Sequence, residues 1–153
     1  MSGITIESGE ITAFAQALNA VPDVLGREFA NTANALALEG IGLAQGYTPV
    51  DTGTLRNAIR MLERASVGTN VRASYGVSKA DVVYALQREY GGTIRARNAP
   101  YLVFEVEPGH WIATEEVHQK GSQYMGRSKS DLEKKVGPAF AAAVQRALAM
   151  GIR

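Results

Sequence analysis

The chain has 153 residues, 46% of them apolar and 20% charged, with a formal net charge of +1. That is an ordinary globular composition at the size of one domain, so residues 1–153 are read as a single domain. There is no cysteine, which excludes disulfides, zinc–thiolate sites and thiol catalysis.

The N-terminal MSGITIESGE has neither a basic nor an apolar targeting region, so no signal peptide is expected. The longest apolar runs are too short to span a membrane. The small net charge hides segregation. Residues 1–50 carry a net −4, residues 51–104 +4, residues 105–119 −4 and residues 120–153 +5. Blocks of alternating sign suit a protein whose unlike surfaces meet copies of itself, and equally suit unrelated solvated faces. No block is basic enough for a nucleic-acid footprint.

In chain order, a short helix is expected over about Ile11–Leu18. A second, long helix begins near Pro22, whose missing N–H is unneeded in a first turn. Leu25, Phe29, Ala33, Leu36, Gly40 and Leu43 recur at spacings of three and four and form its apolar stripe. Gly46 is the expected C-cap, and Pro49 blocks continuation.

The next stretch, TPVDTGTLRNAI, predicts a corner and a short helix. Asp51 is its N-cap, and Leu55, Ile59 and Leu62 form its face. Strands are expected at Met61–Val67 and Val71–Val77, joined by a turn at Gly68-Thr69-Asn70. A short helix, Val82–Tyr90, capped by Asp81, carries Val83, Leu86 and Tyr90 on one side and stops at Gly91-Gly92. Two further strands, Tyr101–Val106 and Trp111–Thr114, flank the Pro108-Gly109 turn. Gln119–Ser128 reads as a polar loop. A last helix starts at the capping box Ser130-Asp131-Leu132-Glu133, is kinked or restarted at Pro138, and turns Val136, Phe140, Ala143, Val144 and Ala147 inward. The predicted class is α+β: an antiparallel sheet of about four strands packed on a long N-terminal helix and a C-terminal helix.

Asp51-Thr52-Gly53 is the triplet that carries the carboxylate of aspartic proteases. Such a site needs two carboxylates sharing a proton at strand–loop turns of a nearly all-β protomer. Here a helical pattern follows the triplet, so a hydrolase using Asp51 is the less favoured reading. His110, His118, Glu115 and Glu116 fit no metal-ligand spacing. No Walker loop, GxGxxG or GxSxG occurs. No metal, no cofactor and no catalytic residue is predicted. Arg95 and Arg97 alternate with Ile94 and Ala96. On a strand they share a face, as a solvated edge or as a contact with an acidic neighbour or passing DNA.

Two segments resemble one known family. Thr48–Ile59, TPVDTGTLRNAI, is similar to the motif P-V-D-T-G-x-L-R-x-S-I of minor tail and tail-completion proteins of long-tailed phages. Val83–Ile94, VYALQREYGGTI, resembles their second motif, Y-A-x-x-x-E-x-G-G-T-I. NAPYLVF continues it. GSQYMGRS, with Tyr124 and Arg127, stands where the family has an R-P-F-L/M-G-type stretch, and departs from it in lacking Arg-Pro. The resemblance spans about residues 47–148.

It implies a non-enzymatic virion protein of the neck, assembled in the host cytoplasm. It would form a homo-oligomeric ring, a hexamer or else a dodecamer, around the DNA channel, joining the head connector to the tail tube. The alternative role is a tail terminator. The implied partners are copies of itself, a connector or stopper protein, and a terminator or tube protein. Genome DNA would pass through the lumen without sequence-specific binding. In that role Asp51, Arg56 and Glu89 are expected to tie the two motifs together, within a protomer or across the ring, with Arg56 and Arg60 one turn apart on a helix. A basic loop around Gln119–Lys129, carrying Tyr124 and Arg127, is expected to touch a neighbouring ring.

Overall fold

A computed structural model describes residues 8–49, 53–68, 70–78 and 84–151, with side chains from residue 21 to residue 150. The class is α+β. The order is α1 (Ser8–Tyr47), α2 (Thr54–Ala58), β1 (Ile59–Glu63), β2 (Ser74–Val77), α3 (Ala85–Tyr90), β3 (Gly91–Arg95), β4 (Leu102–Glu107), β5 (His110–Thr114), β6 (Glu116–Lys120) and α4 (Tyr124–Gly151).

Helix α1 replaces the two expected helices. It runs unbroken through Pro22, because the Ala- and Leu-rich sequence on both sides propagates the helix past one missing ladder bond. It ends one residue beyond Gly46. There the Thr48 hydroxyl donates to the Ala44 carbonyl at 2.7 Å, satisfying one of the orphaned C-terminal acceptors.

Helix α4 packs antiparallel to α1. Ala30, Ala37 and Ala44 on α1 and Ala143 and Ala147 on α4 are buried. Small side chains let the two axes approach closely but each buries little area. Larger contacts therefore frame the seam. Phe29 and Phe140 meet edge to face at 5.2 Å. Arg146 donates to Glu28 at 2.7 Å, and Lys135 pairs with Glu39. The expected α1 stripe holds, with Leu36 and Gly40 buried. On α4 the expected inward set is corrected: Ala143 and Ala147 are buried, whereas Val136 and Val144 are exposed.

The single sheet of about four strands is also corrected. Among the described residues six strands form three separate antiparallel pairs, β1–β2, β3–β6 and β4–β5. The first pair lies on the core. Ile59 opposite Val77 and Met61 opposite Tyr75 set its register, and a bulge between Met61 and Glu63 precedes its last pair, Glu63 with Ser74. Ile59, Ala44, Leu55 and Tyr124 make the central apolar cluster, and Tyr75, Val77 and Met125 pack against it. The side-chain amide of Asn34 on α1 exchanges two hydrogen bonds with the backbone of Ala65, at 2.8 and 3.0 Å. The expected strand there is thereby anchored as irregular chain instead. Of the expected turn, Thr69 lies outside the described residues.

The β4–β5 pair is a hairpin with large apolar side chains exposed on both faces. Val103 and Trp111, diagonal neighbours on one face, are each 63% exposed. Ile112 is exposed on the other. Among the described residues no helix is long and apolar enough to cross a membrane.

One buried link joins α1, β2 and α4. The Ser128 hydroxyl donates to the Gly40 carbonyl at 2.8 Å. Its proton is thus committed, so Tyr75 Oη, also 2.8 Å away, donates to Ser128 Oγ. The Tyr75 ring lies where a side chain at position 40 would stand: a Cβ there would meet it at 2.5 Å. Gly40→Ala should therefore destabilise the fold by about 1–3 kcal/mol, although alanine is favoured in helices by about 1 kcal/mol. Gly42→Ala, where a Cβ meets nothing within 4 Å, should stabilise it by about 1 kcal/mol. Urea midpoints of the two variants should move in opposite directions.

Candidate functional site

The two sequence motifs converge at one end of the α1–α4 pair. The second motif makes a four-way junction of α3, β3, β6 and α4. Helix α4 begins with Gln123, in a left-handed conformation (φ 50°), as its cap residue. The Gln123 carbonyl accepts the N–H of Arg127 at 2.8 Å. A helix start leaves its first N–H groups without partners. Glu89, buried on α3, supplies them: its two carboxylate oxygens accept the N–H groups of Met125 and Gly126, each at 2.9 Å. It does across the fold what an N-cap side chain does locally, and its charge faces the positive end of the helix dipole.

The α3 terminus is closed by the same loop. Ser122 donates both its N–H and its hydroxyl to the Arg88 carbonyl, at 2.8 and 2.9 Å. Gln123 N–H donates to the Glu89 carbonyl at 3.0 Å. Gly91 (φ 78°) and Gly121 let the two chains touch. A Cβ on Gly91 would lie 2.4 Å from the Gln119 carbonyl oxygen, and one on Gly121 would lie 2.4 Å from that of Glu89.

This junction corrects the expected loop at Gln119–Lys129. Gln119 and Lys120 close β6, and Tyr124 to Lys129 form the first turns of α4. Tyr124 is buried in the core. Burial, and then the neighbouring Glu89 charge, pushes its phenol up. Arg127 lies with its guanidinium 4.0 Å from the Tyr47 ring centre. Ser130 and Glu133 sit inside the helix, so they cap nothing. Glu133 pairs with Lys129 at 3.7 Å.

The first motif forms the other wall. Asp51 and Thr52 lie outside the described residues. Gly53 takes a left-handed conformation (φ 75°) at the N-terminus of α2, which favours glycine. Arg56 is exposed. Arg60 is on β1, not on a helix, because α2 ends at Ala58. Glu89 spends both oxygens on α4, and among the described residues no ion pair joins it to Arg56. Within the protomer Glu89 therefore binds the start of α4 and not Arg56. Between the walls lies a groove of about 500 Å³, lined by Pro49 and Leu55 on one side, Tyr84, Gln87 and Arg88 on the other, with Ile94 on β3 among the residues that complete it.

The opposite face of β3–β6 carries a polar chain. Arg95 donates to Glu116 at 2.9 Å. The other Glu116 oxygen lies 3.0 Å from His118 Nε2, and His118 Nδ1 is 2.9 Å from the Thr93 hydroxyl. The Arg95 hydrogen bond, ahead of its charge and that of His118, holds the Glu116 carboxyl below the usual range. Arg97 lies beyond the end of the strand, exposed in a bend, so the expected pair of arginines on one strand face is not formed. The hydroxyl–imidazole–carboxylate line resembles a proton relay, but these side chains are exposed, and nothing keeps water from them. Among the described residues no group of three or more histidine and acidic side chains could hold a metal ion.

Sequence reasoning missed β3 and β6. The signal was present in the alternation of Thr93 with Arg95 and of Glu116 with His118, which places unlike polar groups directly opposite.

Two consequences are measurable. Glu89→Ala leaves two amides at the start of α4 without acceptors and should cost about 1–3 kcal/mol in chemical denaturation. Glu89→Gln, which keeps one acceptor oxygen, should fall between it and the parent. At the other side of α4, the Tyr47 hydroxyl donates to Asp131. That bond, with Lys134 next, holds the Asp131 carboxyl low, and Asp131 in turn pushes the Tyr47 phenol up. The stability gained from the bond is therefore complete between about pH 4 and pH 10. It is lost as pH falls through the depressed Asp131 value or rises through the raised Tyr47 value. The urea midpoint of the parent should exceed that of Tyr47→Phe at pH 7, and the gap should narrow as pH falls below the ordinary carboxylate range.

Searches against protein-family models, curated proteins and solved structures find no match to this chain.

Proposed function

We propose that this chain is a non-catalytic structural protein of a phage neck. It assembles into a closed homo-oligomeric ring between the head connector and the tail tube, with genome DNA passing through the lumen without sequence readout. The observation that carries this reading is the convergence of the two tail-completion-like motifs on one groove. Motif residues there do structural work: Gly53 turns the corner, Glu89 caps α4, and Gly91 admits β6.

A second feature supports self-association. Large apolar side chains stay exposed on two unlike surfaces, α3 with Leu86 and Tyr90 and the hairpin with Val103 and Trp111. A ring is a heterologous interface and needs two such surfaces on every protomer. Arg56, exposed and next in sequence to the groove residue Leu55, would take part in the contact between protomers.

The purified protein should sediment as one closed assembly, and negative-stain images should show six- or twelve-fold rings. Arg56→Glu should keep the circular dichroism spectrum and lose the ring. A monomer at all concentrations, or unchanged rings from Arg56→Glu, would count respectively against the ring and against this surface.

A further inference from the structure

We infer that the β4–β5 hairpin of one protomer docks into the groove between α2 and α3 of a second copy, with Trp111 as the anchoring side chain. The inference rests on the self-association in the proposed function and goes beyond it by naming both halves of the contact.

The hairpin is half of the argument. Its strands pair in register, Val103 with Ala113 and Glu105 with Trp111, so Val103, Ala113 and Trp111 share one face. Val103 and Trp111 are each 63% exposed and Tyr101, just before the strand, is 51% exposed. That face is open and carries Glu105 opposite Trp111, on an element whose turn is locally fixed: Glu105 accepts the Gly109 N–H at 2.6 Å. A rigid element presenting a large aromatic side chain loses little conformational freedom on docking.

The groove is the other half. About 500 Å³ is ample for an indole, and its walls combine apolar surface from Pro49, Leu55 and Ile94 with the polar ends of Gln87 and Arg88. Trp111 of the same chain does not line it.

Charge selects a second copy as the occupant. Residues 98–119 hold four glutamates and no lysine or arginine. Glu105 and Glu107 stand exposed on the hairpin, and Arg88 is the charged side chain among the described residues that line the groove. An acidic hairpin and a groove lined, among the described residues, by a cation and no acid are opposite in sign, which steers encounter and fixes register. Because donor and acceptor surfaces differ, each protomer gives a hairpin and receives one, and the contact propagates until it closes.

Trp111 is the only tryptophan in the chain, so its fluorescence reports the contact directly. As the protein is concentrated from the dissociated to the assembled state, the emission should shift to the blue and acrylamide quenching should fall. Trp111→Ala should keep the circular dichroism spectrum and weaken association on the order of 30-fold or more. The chain contains no cysteine, so single-cysteine variants give an independent readout. An equimolar mixture of Val103→Cys and Gln87→Cys should form a disulfide-linked dimer on oxidation, and neither alone should. An assembly in which Trp111 stays quenchable and the mixture fails to cross-link overturns the hairpin–groove pairing and leaves the ring reading standing. A protein that stays monomeric at every concentration overturns both.

Discussion

The Glu89 carboxylate is the constraint on which the arrangement of this fold depends. A helix as long as α4 brings a set of unpartnered amides to its start, and here that start is beside the buried Tyr124. Water reaches such a place poorly, so an acceptor must come from the protein. Glu89 provides it from another element, and this fixes α3 against α4 at 2.9 Å. With α3 fixed, Gly91 must begin β3 directly, and β6 must arrive alongside it. The whole junction follows from one side chain satisfying two donors.

The α1–α4 pair supplies the frame that this junction closes. Its seam is built of alanines, so close approach matters more there than the area of any one side chain. That explains why a Cβ at Gly40 would meet the Tyr75 ring and why Ser128, a polar residue, is fully buried: both are set by how near α1, β2 and α4 come. Surface ion pairs such as Glu28 with Arg146 add little individually and mark the edges of the seam.

Long-period patterns were legible in the sequence. The stripe from Leu25 to Leu43 placed the core face of α1, the turn at Pro108-Gly109 placed the hairpin, and the mixed class followed from the change of period. What could not be read was whatever depended on distant partners. Ser130 and Glu133 form a valid capping box by local rules, yet α4 starts earlier because Glu89, far away in sequence, caps it more fully. Pro22 and Pro138 look like breaks, yet both helices continue through them. Arg60 fits a helix face by spacing, but Ile59 opposite Val77 draws that segment into a strand. Glu89 itself was visible as a candidate; its partner was not, because backbone amides leave no mark in sequence.

The antiparallel run of α1 and α4 also decides where the chain's ends go. Moving back from Glu28 towards Ser8, and onward from Arg146 towards Gly151, the two helices travel the same way. At 1.5 Å per residue, Ser8 lies roughly 30 Å beyond Glu28 along that direction. Both ends of the described chain therefore point away from the groove and the junction. Ser8 and Gly151 thus share the end of the α1–α4 pair that is remote from the surface where the motifs meet.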